Sequence, residues 1–574
     1  MEINFRRRTG LISFFFILLA GTMVAKLFFV QVVRGEYYRE LSTKQTAPTQ
    51  NIFDRGTIFF SRAGGGELAA ATIKSGFTLA IKPNLLPANL DRENFYHQLN
   101  AIIPLEKNLV LEKLTLTQDP YEVLATRLDK ATADKITKLK LPAIELADDR
   151  WRFYPAGALA AHALGFFGYD GNVLRGRYGL ERYYEEVLTR EKKLSFASFF
   201  ATVFSGLSEP LTKGLTNGEE KEEGDLITTI EPEVQAVLET ELAGLATRYQ
   251  TKSAGGLVLD PVTGEVLALA AWPEFDPGKR QETLEALGNP IVERVFEMGS
   301  IIKPLTVAAA LDATAITTAT TYQDQGSINL NGLTIKNYDG KAHGTVTMQE
   351  VLNKSLNTGA VFAMQKLGKQ AFRDYFLAYG LGEKTGIDLP SEVRGLVRNL
   401  QSDEEVDLAS ASFGQGIATS PIGTARALAV LASGGKLITP HLVKKISYRH
   451  RPDEVIEIPK GKQILKPETA TEITKMLVRV VDEALLGGTV KLEHHQVAAK
   501  TGTAQIAKPG GGGYYEDRFL HSFFGYFPAS KPRFLILIYA EEPKGVSYAA
   551  NTLTAPFINL TKFLLNYYKI APDR

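Results

Sequence analysis

No cysteine occurs among the 574 residues of this chain. That excludes disulfides, a thiol nucleophile and any cysteine-ligated metal centre. Histidine is scarce, with 8 residues, and none stands at metal-ligand spacing. The one adjacent pair, His494-His495, points its rings apart. Excess charge is missing as well: 65 Lys and Arg stand against 64 Asp and Glu, a net charge of +1. A basic stripe of the kind that binds nucleic acid is therefore not expected. The glycine run Pro509-Gly510-Gly511-Gly512-Gly513 lacks the downstream Gly-Lys-Ser/Thr of a phosphate loop, and reads as a loop between strands. What remains is ordinary for globular protein: 44% hydrophobic and 22% charged residues. The length predicts several domains.

Three short motifs stand in order along the chain: Ser300-Ile301-Ile302-Lys303, Ser355-Leu356-Asn357 and Lys500-Thr501-Gly502-Thr503. Each supplies a part that acyl transfer through serine needs. Serine is a weak nucleophile until a base takes its proton. Positions i and i+3 share a helix face, so Lys303 can reach the Ser300 hydroxyl. Pro304 fits a helix that begins near Ser300, because the first helical N–H groups have no partner in the helix. That start sets Ser300 at the positive end of the helix dipole, which favours an oxyanion. A lysine base must be neutral, and burial beside a second cation, for which Lys500 is the candidate, lowers its pKa.

Val497 to Ile506 reads as a strand. If it lies at a sheet edge, the Thr503 N–H can pair with that of Ser300 as an oxyanion hole. Gly502 would let a substrate approach the backbone. The hydroxyls of Thr501 and Thr503, with Lys500, suit a substrate carboxylate. Asn353 to Gly359 reads as a polar turn in which Ser355 relays a proton and Asn357 holds a substrate amide.

Each motif has a plainer reading. Ser300 can be a helix N-cap, Asn357 a turn residue, and Lys500-Thr501-Gly502 an ordinary strand end. A second Lys-Thr-Gly, Lys384-Thr385-Gly386, lacks an apolar strand before it and reads as a loop. Three plain readings in this order are a poor account of the set.

The ordered triple resembles that of the class B penicillin-binding proteins, which are monofunctional peptidoglycan transpeptidases. The resemblance extends to Asp260-Pro261-Val262-Thr263-Gly264-Glu265, to Ala411-Ser412-Phe413-Gly414-Gln415-Gly416-Ile417 and to Thr385-Gly386-Ile387-Asp388-Leu389-Pro390. Upstream, Arg55-Gly56-Thr57-Ile58, Arg152-Phe153-Tyr154-Pro155 and Gly179-Leu180-Glu181 resemble the family's non-catalytic pedestal. It covers residues 1–190 and 225–570. Met298, Ile301, Ile302, Ala499 and Glu231 depart from the family pattern, none at a position with a chemical role.

The fold class expected is α+β. A cytoplasmic tail, 1–10, carries Arg6-Arg7-Arg8, and the apolar run 11–30 is long enough, at about 30 Å, to cross a bilayer. Positive charge ahead of it keeps that end in the cytoplasm. A cleaved signal peptide is the alternative, but the apolar core is too long and no small-x-small site follows. Residues 31–190 form an α/β pedestal. In 191–224 an apolar stretch, Leu194 to Phe204, passes into a charged linker. It reads as a helix packed on the pedestal or as a surface for membrane or partner, with Phe196, Phe199, Phe200 and Phe204 on one face. Residues 225–570 form the transpeptidase domain, an antiparallel sheet flanked by helices with a mostly helical insertion around 300–435.

The resemblance implies a D,D-transpeptidase anchored by a single pass in the cell membrane, with its catalytic domain outside the cytoplasm. It implies peptidoglycan stem peptides ending in D-Ala-D-Ala as substrates, β-lactams as inhibitors, and no metal or organic cofactor. It also implies a membrane partner, a glycan polymerase of the SEDS type with other division or elongation proteins, since no polymerase domain is present. Length and a short pedestal favour division. Two other classes stay open: a D,D-carboxypeptidase or β-lactamase, against which anchor and pedestal argue, and a non-catalytic β-lactam-binding sensor or scaffold, against which the complete triple argues.

Overall fold

Period-two alternation in a strand sends successive side chains to opposite faces, and the strand Phe534–Glu541 is buried along its whole length. Leu535, Leu537 and Tyr539 enter one hydrophobic core, and Phe534, Ile536, Ile538 and Ala540 enter another. A sheet covered on both faces therefore lies at the centre of the catalytic residues. The computed structural model describes residues 54–170, 173–190, 223–279, 287–449, 451–510 and 512–574, with four isolated positions before them. Of the expected membrane span at 11–30 only Leu18, Gly21, Thr22 and Lys26 are described, and the apolar stretch at 194–204 lies outside the described residues. Among the described residues no helix is long and apolar enough to cross a membrane.

The described chain divides into two compact units. The smaller is built from residues 73–152. In it the end of a long strand, Glu67–Ile81, pairs antiparallel with Glu122–Leu128. Leu79, Ile81, Phe95, Leu99 and Ile136 form its core. Two of its helices are opened by aspartate caps. Asp91 accepts the Asn94 N–H, and Asp129 accepts that of Thr132, satisfying donors that the first turn cannot.

The larger unit holds residues 55–72 and 153–574, so parts of the expected pedestal pack with the catalytic residues. Helix α1 (Pro232–Tyr249) starts at a proline, tolerated there because the first turn needs no N–H from it. It is followed by strands β1 (Ser253–Leu259) and β2 (Val266–Trp272). Then come helices α2 (Lys303–Asp312), α3 (Asn357–Leu367), α4 (Pro421–Ala432) and α5 (Pro467–Arg479). Strands β3 (Ala498–Ala507), β4 (Tyr514–Phe527) and β5 (Phe534–Glu541) and helix α6 (Ala549–Tyr567) close the chain. The five strands form an antiparallel sheet in the order β3-β4-β5-β1-β2. Both ends of the domain thus build one sheet, and β3 lies at its edge. Helices α1 and α6 cover one face and α4 packs on the other. The glycine run joins β3 to β4, with Ala507 opposite Tyr514.

The strand that opens the expected transpeptidase domain, Gly224–Thr228, does not join that sheet. Gly224–Thr228 pairs in parallel with Ile58–Ser61 and antiparallel with Val443–Tyr448. Arg55 anchors this second sheet. Its guanidinium, 2% exposed, bonds the Glu181 carboxylate at 2.7 Å and the Glu185 carboxylate at 2.6 Å. The Tyr154 hydroxyl donates to the other Glu181 oxygen at 3.2 Å. Removing one member of a buried pair strands the other charge in low dielectric. Glu181→Ala should therefore lower unfolding free energy by about 3 kcal/mol or more. Denaturant titration checks this, and a change within ordinary surface effects would remove the pair from its anchoring role.

Candidate active site

The nucleophile candidate sits on a tight turn. Gly299–Ile302 is a 3-10 turn that runs into α2, with Pro304 in the helix's first turn. Gly299 adopts φ 63° and donates its N–H to the Gly414 carbonyl at 3.1 Å. A Cβ on Gly414 would fall 2.2 Å from the Gly299 oxygen, so the two backbones meet only because Gly414 has no side chain. Neither the turn nor α2 has a side-chain cap, so Ser300 is not an N-cap.

Ser300 lines a cavity of about 970 Å³ with Ser355, Asn357, Lys500, Thr501 and Thr503. Lys303 is fully buried. Its Nζ donates to the Ser355 carbonyl at 2.5 Å and approaches the Ser355 hydroxyl at 3.1 Å. Lys500, 3% exposed, donates to the same hydroxyl oxygen and to the Thr501 carbonyl, both at 3.0 Å. Three residues scattered over two hundred positions of sequence thus share one hydroxyl. Ser355 reaches this place through a left-handed backbone, φ 55°.

No carboxylate is among these hydrogen-bond partners, which sets the electrostatics. Burial, and then the neighbouring Lys500 cation, hold Lys303 well below the ordinary lysine range. Burial lowers Lys500 to about 7. A neutral amine has two N–H donors and one lone pair. Lys303 directs donors at Ser355, which leaves the lone pair for an acidic proton. Ser355 in turn accepts from both lysines, so its own proton is free to be given away.

The remaining candidates sit as follows. Asn357 is the first residue of α3, not part of an open turn, and its amide donates to the Lys336 carbonyl at 2.8 Å. The Thr503 hydroxyl oxygen accepts the Ala549 N–H at 3.1 Å, at the start of α6. Gly502 does not face the cleft. A Cβ there would meet the Ser522 hydroxyl at 2.4 Å and the Met298 carbonyl at 2.7 Å. Glycine is needed because the turn bearing Ser300 presses on the strand from behind, not because a substrate approaches. The second Lys-Thr-Gly is a loop: the Glu392 carboxylate accepts from the Thr385 N–H and hydroxyl, both at 2.6 Å, and from the Gly386 N–H.

Sequence reasoning missed the network beside Asn357, which engages its chain neighbour Thr358. Buried Asp324 accepts from the Thr358 hydroxyl at 2.8 Å, from the Asn337 amide, and from the N–H groups of Gly326 and His343. Burial opposes its ionisation, but these donors outweigh that and hold it below the usual carboxylate range. Thr358 adjoins a motif residue. Nothing in the sequence marks Asp324.

The penicillin-binding protein transpeptidase domain model matches residues 254–560, and the penicillin-binding protein dimerisation domain model matches residues 54–196. Stage V sporulation protein D of Bacillus subtilis is 30% identical over 558 residues, covering 95% of this chain and 83% of that one. Peptidoglycan D,D-transpeptidase FtsI of Escherichia coli K12 is 29% identical over 458 residues, 78% of this chain and 73% of that one. Among solved structures, penicillin-binding protein 3 of Mycobacterium tuberculosis complexed with aztreonam superposes with a TM-score of 0.67. That match has 23% identity and covers 91% of this chain and 98% of the other.

The lysine pair makes a pH-dependent prediction. Lys500 titrates at about 7 when folded against 10.5 as a free side chain. Between those values the unfolded chain binds more protons, so stability rises with pH across that window. Lys500→Met should therefore be more stable than the parent at pH 6 by on the order of a few kcal/mol, with the gap closing towards pH 10. Denaturant midpoints at pH 6, 8 and 10 measure it. A variant less stable at pH 6 contradicts the desolvated lysine.

Proposed function

This chain belongs to the penicillin-binding protein transpeptidase family, and from that premise we propose that it is a class B peptidoglycan D,D-transpeptidase, cross-linking stem peptides through a serine acyl-enzyme. The observation that carries the reading is the Ser355 hydroxyl held between two buried lysines, beside Ser300 and a free strand edge.

Ser300 attacks the carbonyl carbon of the penultimate D-Ala. Neutral Lys303 takes its proton. The oxyanion sits between the N–H groups of Ser300 and Thr503, an arrangement supported by the edge position of β3. Ser355 gives its proton to the departing amine and regains one from its lysine partners. Lys500 and the hydroxyls of Thr501 and Thr503 hold the terminal carboxylate. Asn357, with its N–H engaged on Lys336, offers its amide oxygen to the donor peptide. The amine of a second stem then attacks the ester, and the cross-link forms. A β-lactam acylates the same serine.

The domain plan that goes with this reading is a cytoplasmic tail at 1–10, a single membrane span at 11–30 and a pedestal at 31–190. A linker at 191–224 leads to the transpeptidase domain at 225–570 outside the cytoplasm. A SEDS-type glycan polymerase in the membrane is the expected partner, and septal synthesis the expected process.

Fluorescent penicillin followed by peptide mapping tests the assignment. Label should fall on Ser300, and Ser300→Ala should lose it without unfolding. Stable labelling of that variant would reject the nucleophile. Lys500→Ala should slow acylation by at least a hundredfold, about 2.7 kcal/mol of barrier, and Lys384→Ala should leave it unchanged. The reverse pattern would exchange the roles of the two Lys-Thr-Gly segments.

A further inference from the structure

One end of the cleft is apolar, and nothing in the steps above uses it. Helix α5 passes into a π-helical turn, Val480–Ala484, and then into the turn Leu485–Gly488. Val480, Ala484, Leu485 and Leu486 all line the cavity that holds Ser300. Val480 and Leu485 are buried, at 5% and 8%, whereas Leu486 is 43% exposed. Leu486 also has φ 47° and ψ 39°. A leucine is strained in that region, where a glycine is not, and such residues gather at functional sites. Gly487 and Gly488 follow directly, so the chain has glycine to hand and yet sets a leucine at the cleft.

The segment is firmly held. Asp482 forms a two-point ion pair with Arg574. Glu483 bonds Arg479 at 2.9 Å and lies 3.5 Å from the amide of Asn353, two residues before Ser355. The π-helical turn packs on both β3 and the helix Met348–Asn353. These contacts set the apolar wall beside the Ser355 turn, whose hydroxyl Lys500 holds. Phe519, opposite Gln505, and Tyr548 line the other end.

Position along the strand assigns a role that rests on the transpeptidase reading. The departing D-Ala leaves from the stretch of β3 where Lys500, Thr501 and Thr503 hold its carboxylate. The attacking amine must enter where the leaving amine departed, since the second half of the reaction retraces the first. An amine borne on a methylene chain would find apolar contact at that wall, whereas water, which competes for the same ester, would not. We propose that Leu486, with Val480, Ala484 and Leu485, forms the acceptor subsite, taking the methylene chain that carries the attacking amine. In this step the amine nitrogen bonds the acyl carbon and loses one proton. The ester bond to Ser300 Oγ breaks, and Oγ recovers the proton. Apolar contact favours a chain-borne amine over water, so Leu486 acts on the partition of the acyl-enzyme, not on its formation.

The test uses the full chain, a stem-peptide thioester analogue as donor, and Nα-acetyl-lysine amide or glycinamide as acceptor. Leu486→Gly removes the side chain and relaxes the backbone. Leu486→Asn keeps the size, adds polarity and tolerates the left-handed region. Both should lower the ratio of aminolysis to hydrolysis by at least tenfold with the lysine acceptor and little with glycinamide. Penicillin labelling of Ser300 and melting temperature should hold. A ratio within twofold of the parent, or an equal loss of penicillin labelling, overturns the subsite. So does a parent enzyme that takes the label but transfers to neither amine. If the parent takes no penicillin label at all, the transpeptidase reading itself fails, which is a distinct result.

Discussion

Two buried lysine amines and one serine hydroxyl, with no acid among their hydrogen-bond partners, are the constraint on which the rest of this structure depends. Lys303 and Lys500 both reach the Ser355 oxygen, and the other acceptors holding them are the carbonyls of Ser355 and Thr501. Two ammonium groups cannot share so small a desolvated space, because their repulsion adds to the cost of burying each. The site therefore holds one neutral amine before a substrate arrives. A carboxylate partner for Lys303 would restore its charge and end its use as a base.

Holding the amines in place calls on three separate parts of the chain. The turn at Gly299 is pinned from one side by Gly414 and from the other by β3, whose Gly502 lies against Met298 and Ser522. The Ser355 turn is fixed by its left-handed backbone and by the Asp324 network behind Asn357. Strand β3 is held by β4, whose far side is paired with the wholly buried β5. Ser300 and Ser355 stand on short turns pinned from more than one side, Lys303 opens α2, and Lys500 stands on the edge strand of a sheet with two buried faces.

How much of this was legible in the sequence depended on distance along the chain. Strand periods and helix starts are local, so the β1-β2 hairpin, β5, α1 and α6 could be read from pattern. The motif triple was legible because acyl transfer restricts which residue types can serve. Gly502 was misjudged, since its reason lies in Met298 and Ser522, far away in sequence. The pairing of Gly224–Thr228 was illegible for the same cause: its partners begin at residues 58 and 443. Asp324, Glu181 and Leu486 carry no local signal. Their meaning is a burial, a charge partner or a backbone angle that exists only once the chain has folded.

The sheet that joins Ile58–Ser61, Gly224–Thr228 and Val443–Tyr448 also sets an order of events during synthesis. The first strand can form its hairpin with Glu67–Ala71 at once, because that partner follows within a few residues. Its other edge stays open until Gly224–Thr228 has been made, and that strand waits in turn for Val443–Tyr448. An unpaired edge is a template for wrong pairing, and distant pairings are slow to close. The nascent chain thus carries an open edge until most of the catalytic residues have emerged. The sheet can finish only after α2, α3 and α4 exist, so completion of the amino-terminal sheet reports that the helical part of the active site has already been made.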